Sequence, residues 1–338
     1  MSSNSYGLDE DRLAGFAAVV PPAPGGTLAE YAAFLRTQGR PVFLPDHGRW
    51  VWVPGERGIL NRLPLECLEP PDEAEVCRAV SNRGVWLCVY QVHATPERPA
   101  NCLNYVCADP AYDLEHLPSK VRNKVRRGLR SFTIRLCSWD ELVAKGSAAY
   151  ADTLARYGDL RGAETSLRAE TSLRAYAEAQ RGQSFYDIWG AWLGDQLAAW
   201  TTVLKIDDWA MVNVCRSLTE ALRLAPNNAL RFAFTRHLLV TEGRALVSSG
   251  LSSLRADGHE MGIHSYKTSM GFAARPVRRC FAAHPLIRPV LEGRAGAWVL
   301  ERLARAAPGV ATLRKAAGLA RLMSGREANP LGWVADEA

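Results

Sequence analysis

"SFYDIWGAWLGDQLAAWTTVLKIDDWAMVNVCRSL", residues 184–218, contains three runs rich in Trp, Val, Ile and Thr. They are separated by "LGDQ" and by "DD", both turn-forming, so three consecutive strands in an antiparallel meander are predicted. The period then changes. "APNNALRFAFTRHLLVTEG" (225–243) spaces Leu230, Phe234 and Leu238 as one face of a helix, with Asn227 or Asn228 at its cap and Gly243 as its stop. "RALVSSG" (244–250) reads as a short buried strand, "GIHSYKTSMGF" (262–272) as one or two helical turns and "RPVRRCFAAHP" (275–285) as a closing strand. A meander followed by alternating helices and strands predicts an α/β (α+β) fold, a mixed sheet flanked by helices.

Upstream of the meander, "SWDELVAKGSAAYADTLARY" (138–157) is helical, with Ser138 and Glu141 forming a capping box. Before it come the short strand "SFTIRLC" (131–137) and the basic helix "SKVRNKVRRGLR" (119–130). The tandem "AETSLR" at 163–174 suits a lengthened surface helix, or a docking segment. The first 110 or so residues form a smaller α/β unit: "TLAEYAAFLRTQG" as a helix capped by Thr27 and stopped by Gly39, "PPDEAEVCRAVSNRG" as a second helix, and "PVFLP", "RWVWVP", "GVWLCVYQVH" and "NCLNYVC" as strands. Three segments are expected: 1–111, 112–285 and a helical extension 286–338. The extension's apolar face is Leu300, Leu303, Leu313 and Leu322, which would pack on the body or on another chain.

With 338 residues, 48% apolar and 22% charged, the chain has the composition of a globular protein of about two domains. A net charge of +6 favours an anionic partner weakly. The eight cysteines are scattered without a C-x-x-C pair, which points to free thiols in a reducing compartment, the cytoplasm. The N-terminus has neither a basic start nor an apolar core, so no signal peptide is expected, and no apolar run is long enough to span a membrane.

The seven histidines form no zinc-type spacing, and P-loop, G-x-G-x-x-G and G-x-S-x-G motifs are all missing. No metal site is expected. Four features carry chemistry. The helix opening with Asn227 and Asn228 presents backbone N–H groups to an anion, or its asparagines simply cap a core helix. Ser248, Ser249 and Gly250 give small residues where a ligand can approach backbone. Tyr266 and Lys267 can donate to a developing oxyanion, although packing for the tyrosine and solvent for the lysine are the ordinary roles. In the basic helix, Ser119 reads as the N-cap and Val121, Val125 and Leu129 as the packed ridge. Cations in its first turn oppose the helix dipole, and Arg122, Arg126 and Arg130 repel one another at four-residue spacing. A bound anion would relieve both, while a solvated face remains the alternative.

In their order, these stretches resemble a known family. "HLPSKVRNKVRRGLRSFTIR", "GDQLAAWTTVLKIDDWAMVN", "APNNALRFAFTRHLL" and "GIHSYKTSMGF" are similar to the basic helix and strand, the central hairpin, the donor-side helix and the closing Y-K-x-x-x-G-F region of Fem-type peptidoglycan-bridge aminoacyltransferases and their GNAT-fold relatives. The resemblance covers about residues 112–280. It implies a GNAT-like fold, with the first 110 residues as a degenerate second copy in tandem. It further implies Lys267, with Tyr266, at the polarised carbonyl; Asn227 and Asn228 where the donor-side helix begins; and Lys120, Arg122, Asn123 and Arg126 at the acceptor or domain junction, while Ser248, Ser249 and Gly250 join the donor side on their own small-residue chemistry. One departure matters: "LRLAPNNA" (222–229) lacks the glycine loop with which GNAT enzymes hold coenzyme A.

The implied function is transfer of an acyl or aminoacyl group from acyl-CoA or aminoacyl-tRNA to a small-molecule amine, a phosphorylated one included. No cofactor is expected to be tightly bound, and the donor is a co-substrate. Asp187, Asp207 and Glu242 are the carboxylates nearest the sheet in sequence, none with a specific claim to be the base. A non-catalytic nucleic-acid-binding protein on the same fold is the competing expectation, resting on helix 119–130 and the Arg-rich tail. Composition says nothing of the oligomeric state.

Overall fold

The computed structural model describes residues 20–55, 58–156, 163–252, 259–307 and 310–324. The N-terminal residues read for a signal peptide lie outside these. The described chain runs through α1 (Leu28–Thr37), β1 (Val51–Pro54), β2 (Ile59–Leu63), α2 (Glu73–Val80), β3 (Leu87–Val92) and β4 (Cys102–Cys107). It continues through α3 (Ser119–Ser131), β5 (Thr133–Leu136), α4 (Trp139–Lys145), α5 (Ser147–Arg156) and α6 (Ala163–Gln180). The meander follows as β6 (Tyr186–Leu193), β7 (Gln196–Ile206) and β8 (Trp209–Ser217). Then come α7 (Pro226–Arg236), β9 (Leu246–Leu251), α8 (His259–Ser269) and β10 (Ala273–Ala283), and last α9 (Arg288–Glu292), α10 (Arg294–Ala306) and α11 (Ala311–Met323). The fold is mixed α/β: β2 and β3 pair parallel, whereas β10 pairs antiparallel with β3 and β4.

Two compact units emerge, and they do not follow sequence order. The meander unit comprises residues 1–26, 107–247 and 269–271; the β10 unit comprises 27–106, 248–268 and 272–338. The expected segments 112–285 and 286–338 are therefore divided differently. The reason is the closing strand. Arg278–Ala283 pair with β3 and Ala273–Val277 with β4, so ladder hydrogen bonds bind this late strand to two early ones. The tail packs within this same unit: Leu291, Ala297 and Ala320 join Leu87, Val89 and Ala283 in one core cluster. Leu300 packs against that cluster, but Leu303 is 47% exposed, outside the apolar face predicted for it.

In the meander unit, β6, β7 and β8 pair antiparallel as predicted, and β5 pairs with β6. Asp207 takes a positive φ of 48° in the "DD" turn. The predicted helix at 138–157 is two, α4 and α5. They part at Gly146, whose carbonyl accepts from the Trp200 indole at 3.0 Å. The Ser138–Glu141 capping box forms, as does the Thr27–Glu30 box that opens α1. "AETSLRAETSLR" lies in α6.

Two expectations are corrected in the smaller elements, and one strand is added. "PVFLP" is not a strand; only Phe43 makes an isolated bridge, to Trp52. The strand beside β1 is β2 instead, built by "ILNRL". And α8 runs to eleven residues, not one or two turns.

Candidate functional site

The α3 helix differs from its predicted form in two ways. Pro118, not Ser119, is the N-cap, and no side chain caps it. The third member of the buried ridge is Gly128 rather than Leu129, which is only half-buried. A Cβ built on Gly128 would stand 2.6 Å from the Ala225 carbonyl oxygen and 2.7 Å from Ala229 Cβ. Glycine thus lets α3 lie backbone-to-backbone against the start of α7.

That start is not capped by asparagine. Ala225 is the N-cap in a left-handed conformation, with φ 62°, and Pro226 occupies the first helical position. Proline there supplies its fixed φ and has no N–H to satisfy, so the helix opens without a side-chain cap. Asn227 donates instead to the Ser217 hydroxyl at 3.2 Å, and Asn228 reaches Met270 Sδ at 3.4 Å. The meander unit therefore brings a basic helix beside an uncapped helix start.

The charge on α3 is partly answered from within the fold. Glu115 accepts from Arg122 at 2.6 Å and from Arg126 at 3.4 Å, the anion that the self-repelling spacing demanded. Lys120, Asn123, Lys124, Arg127 and Arg130 are exposed.

The carboxylates near the meander are structural. Lys205, fully buried, lies 3.0 Å from Asp187 and 2.9 Å from Glu242. Glu242 also meets His237 at 3.2 Å and Arg244 at 3.0 Å. Burial raises the affinity of Glu242 for a proton, but the hydrogen bonds from His237, Lys205 and Arg244 outweigh it and hold the carboxyl down at about 2. Asp187 goes the other way, pushed up by burial despite Lys205. It also accepts from the Ala23 amide at 2.7 Å, while Arg244 donates to the Pro24 carbonyl at 3.0 Å. The cluster fastens residues 23–26 to the meander, and Asp207 is a turn residue. None of the three is placed to serve as a base.

In the β10 unit, α8 and β4 build a second group. The Tyr105 hydroxyl lies 3.1 Å from His264 Nδ1, both buried. Lys267 Nζ stands over the Tyr105 ring, 4.1 Å from its centroid. His264 and Lys267 are three apart and share a face of α8; Tyr266 is half-buried and stands roughly 160° round the helix from His264. Phenol, imidazole and ammonium thus converge. Of these three candidates the sequence points to Lys267 alone, not to Tyr105 or His264. The H-x-x-K spacing on a helix was a usable signal for the histidine. Tyr105 had none, since only strand placement brings it there.

Glu66, also missed, accepts from Asn104 Nδ2 at 3.3 Å. Burial pushes its carboxyl up, against hydrogen bonds from Ser248 and Asn104 and the charge of Arg275. Arg275 is paired with Asn104 across the β10–β4 ladder. Ser248 is fully buried and its hydroxyl accepts from the Gly250 amide at 3.3 Å. Ser249 is buried too, and Gly250 takes a positive φ of 73°. Among the described residues no cluster of three or more His, Cys, Asp or Glu is placed to hold a metal ion.

No protein-family model and no curated protein matches the chain. Solved structures similar to it include a C-terminal domain provisionally assigned to a lysylphosphatidylglycerol synthetase of Agrobacterium fabrum, at 12% identity and TM-score 0.48, covering 80% of this chain and 90% of that one. A tandem GNAT protein from the clavulanic acid biosynthesis pathway matches at 13% identity and TM-score 0.41, over 72% and 83%. FemX matches at 9% identity and TM-score 0.46, over 79% and 95%.

Proposed function

We propose that this chain is an acyltransferase, moving an acyl or aminoacyl group from acyl-CoA or aminoacyl-tRNA to a small-molecule amine. The observation that carries the reading is the convergence of Tyr105, His264 and Lys267 in one unit. Direct transfer needs two services from the protein. One is a donor or cation for the oxyanion formed when the amine nitrogen attacks the thioester or ester carbonyl. The other is a relay for the proton that the attacking amine must lose.

In this reading Lys267 faces the oxyanion, and Tyr266, on the side of α8 away from His264, is left out of the step. The Tyr105–His264 pair takes the amine proton. Collapse of the tetrahedral intermediate forms the amide and releases the thiol or the ribose hydroxyl, protonated. Binding holds the donor carbonyl and the amine together, which converts a bimolecular encounter into a unimolecular step. No covalent enzyme intermediate is required.

The donor is phosphorylated in either form. In the meander unit, Lys120, Arg122, Asn123 and Arg126 on α3 are assigned to a phosphorylated substrate, and Asn227 and Asn228 at the start of α7 to the phosphates of the donor. Ser248, Ser249 and Gly250 are assigned to the donor's passage along β9. The glycine-free stretch before α7 favours a donor gripped by side chains over one gripped by a backbone loop.

Calorimetry with coenzyme A and, separately, with charged tRNA tests the reading. Binding of one of them well below millimolar is expected, and Lys267→Ala should preserve it while abolishing amide formation. Millimolar or weaker binding of both ligands removes the proposal.

A further inference from the structure

We infer that the helical tail of the β10 unit is a docking surface for anionic lipid, lying flat on a membrane through α10. The inference is independent of acyl transfer and starts from an imbalance in exposure. Of the exposed large apolar side chains in the described residues, Leu286, Val290, Trp298, Val299, Leu303 and Val310 all fall within 286–310. Their exposures run from 45% to 74%. Trp86, 44% exposed, adds to them: its ring lies 5.5 Å from that of His284, two residues before Leu286.

The charge on the same segment is one-sided. Residues 286–323 contain seven Lys and Arg against two Glu, so this ninth of the chain holds most of its net +6. Both glutamates are already paired: Glu292 with Arg288 at 2.9 Å and Glu301 with Arg321 at 3.9 Å. Arg294, Arg302 and Arg305 are exposed.

Their arrangement on α10 is ordered. At 100° per residue, Arg294, Arg305, Trp298 and Arg302 occupy one edge of the outward face, and Val299 and Leu303 the other. The inner face, with Ala297 and Leu300, is spent on the core. Arg302 lies over the Trp298 ring at 4.6 Å, a pairing of aromatic and cation suited to the boundary between headgroups and acyl chains. A helix whose apolar side chains are flanked by arginines has the build of an interfacial helix. Among the described residues no helix is long and apolar enough to cross a membrane, so attachment would be to one leaflet's surface.

A second copy of the chain fits the face less well. A two-fold contact sets the same patch against itself. Arg294, Arg302 and Arg305 of both copies would then crowd one contact, and among the described residues of the segment both glutamates are already paired. An anionic leaflet supplies the missing charge and solvates the apolar edge as well.

Flotation of the full chain with phosphatidylcholine vesicles, with and without phosphatidylserine, tests this. The chain should float with the anionic vesicles only, and added salt should weaken the association. Each arginine near the surface contributes about fivefold in affinity, so Arg294→Gln with Arg302→Gln should lower binding roughly 25-fold. Leu303→Ser with Val299→Ser removes apolar contact at exposed positions and should weaken it about tenfold or more, with an unchanged melting curve. Absence of flotation overturns the inference. So does binding that both double variants leave intact, or sedimentation showing a dimer that Leu303→Ser dissociates, which would assign the face to a second copy.

Discussion

The hydroxyl of Tyr105, on β4, lies 3.1 Å from Nδ1 of His264, on α8, although 159 residues separate them in the chain. With Lys267 over the tyrosine ring, this pair makes the sharpest prediction. Tyr105→Phe removes the hydroxyl and keeps the ring beneath Lys267. It should lower kcat by on the order of 100-fold with little change in KM. His264→Ala should do at least as much. Steady-state kinetics on variants with unchanged thermal melts would check both, and undiminished kcat in Tyr105→Phe would dismiss the relay.

Lys205 touches both Asp187 and Glu242 in the interior of the meander unit. Lys205→Met leaves two carboxyl groups without it and should cost about 3–5 kcal/mol, the usual penalty for breaking a buried pair. Urea denaturation monitored by far-UV circular dichroism measures it. A loss below about 1 kcal/mol would mean the cluster is solvated like a surface pair.

The acid limb of stability should be traceable to Glu242. Its carboxyl is held at about 2 in the fold, below the ordinary 4.5. Above pH 4.5 it is ionised folded or unfolded, and its stabilisation is complete. As pH falls from there toward 2, the unfolded chain takes up a proton that the native state refuses, and stability is lost. Glu242→Gln should therefore be less stable at pH 7 and show a shallower decline between pH 4.5 and 2 than the native chain.

Glu66 has the opposite sign. Burial raises its pKa, so the folded state favours the neutral acid. Its stabilising effect is complete below 4.5 and is lost as pH rises through the raised folded value. Glu66→Gln, which mimics the neutral acid, should stabilise the protein at pH 7 and change little at pH 4. Thermal melts at the two pH values decide it.

Gly128 tests the packing of α3 on α7. Alanine would place its Cβ 2.6 Å from a backbone oxygen, an overlap that only a shift of one helix relieves. A loss of about 1–3 kcal/mol is expected. Lys120→Ala with Arg122→Ala, at exposed or half-exposed positions, should instead leave the melt within about 0.5 kcal/mol while weakening binding of the phosphorylated substrate in the calorimeter.

Much of this molecule was legible in its sequence, because local rules determine local elements. The period-two runs at 184–218 with their two tight turns could form little but a meander. Ser138 with Glu141 and Thr27 with Glu30 announced their own capping boxes. Lys267 and the charge of α3 were likewise visible, since each is a property of a few adjacent residues. Only tertiary structure decided the rest. That Ala273–Ala283 closes the sheet onto β3 and β4, dividing the chain against its order, depends on pairing between strands far apart in the chain. No local pattern carries that information. The same pairing puts the β4 strand where α8 can reach Tyr105, and only there does a tyrosine among core aromatics acquire a histidine and a lysine as partners. Glu115, Glu66 and Gly128 were unremarked for the same reason: their roles lie entirely in what the fold sets against them.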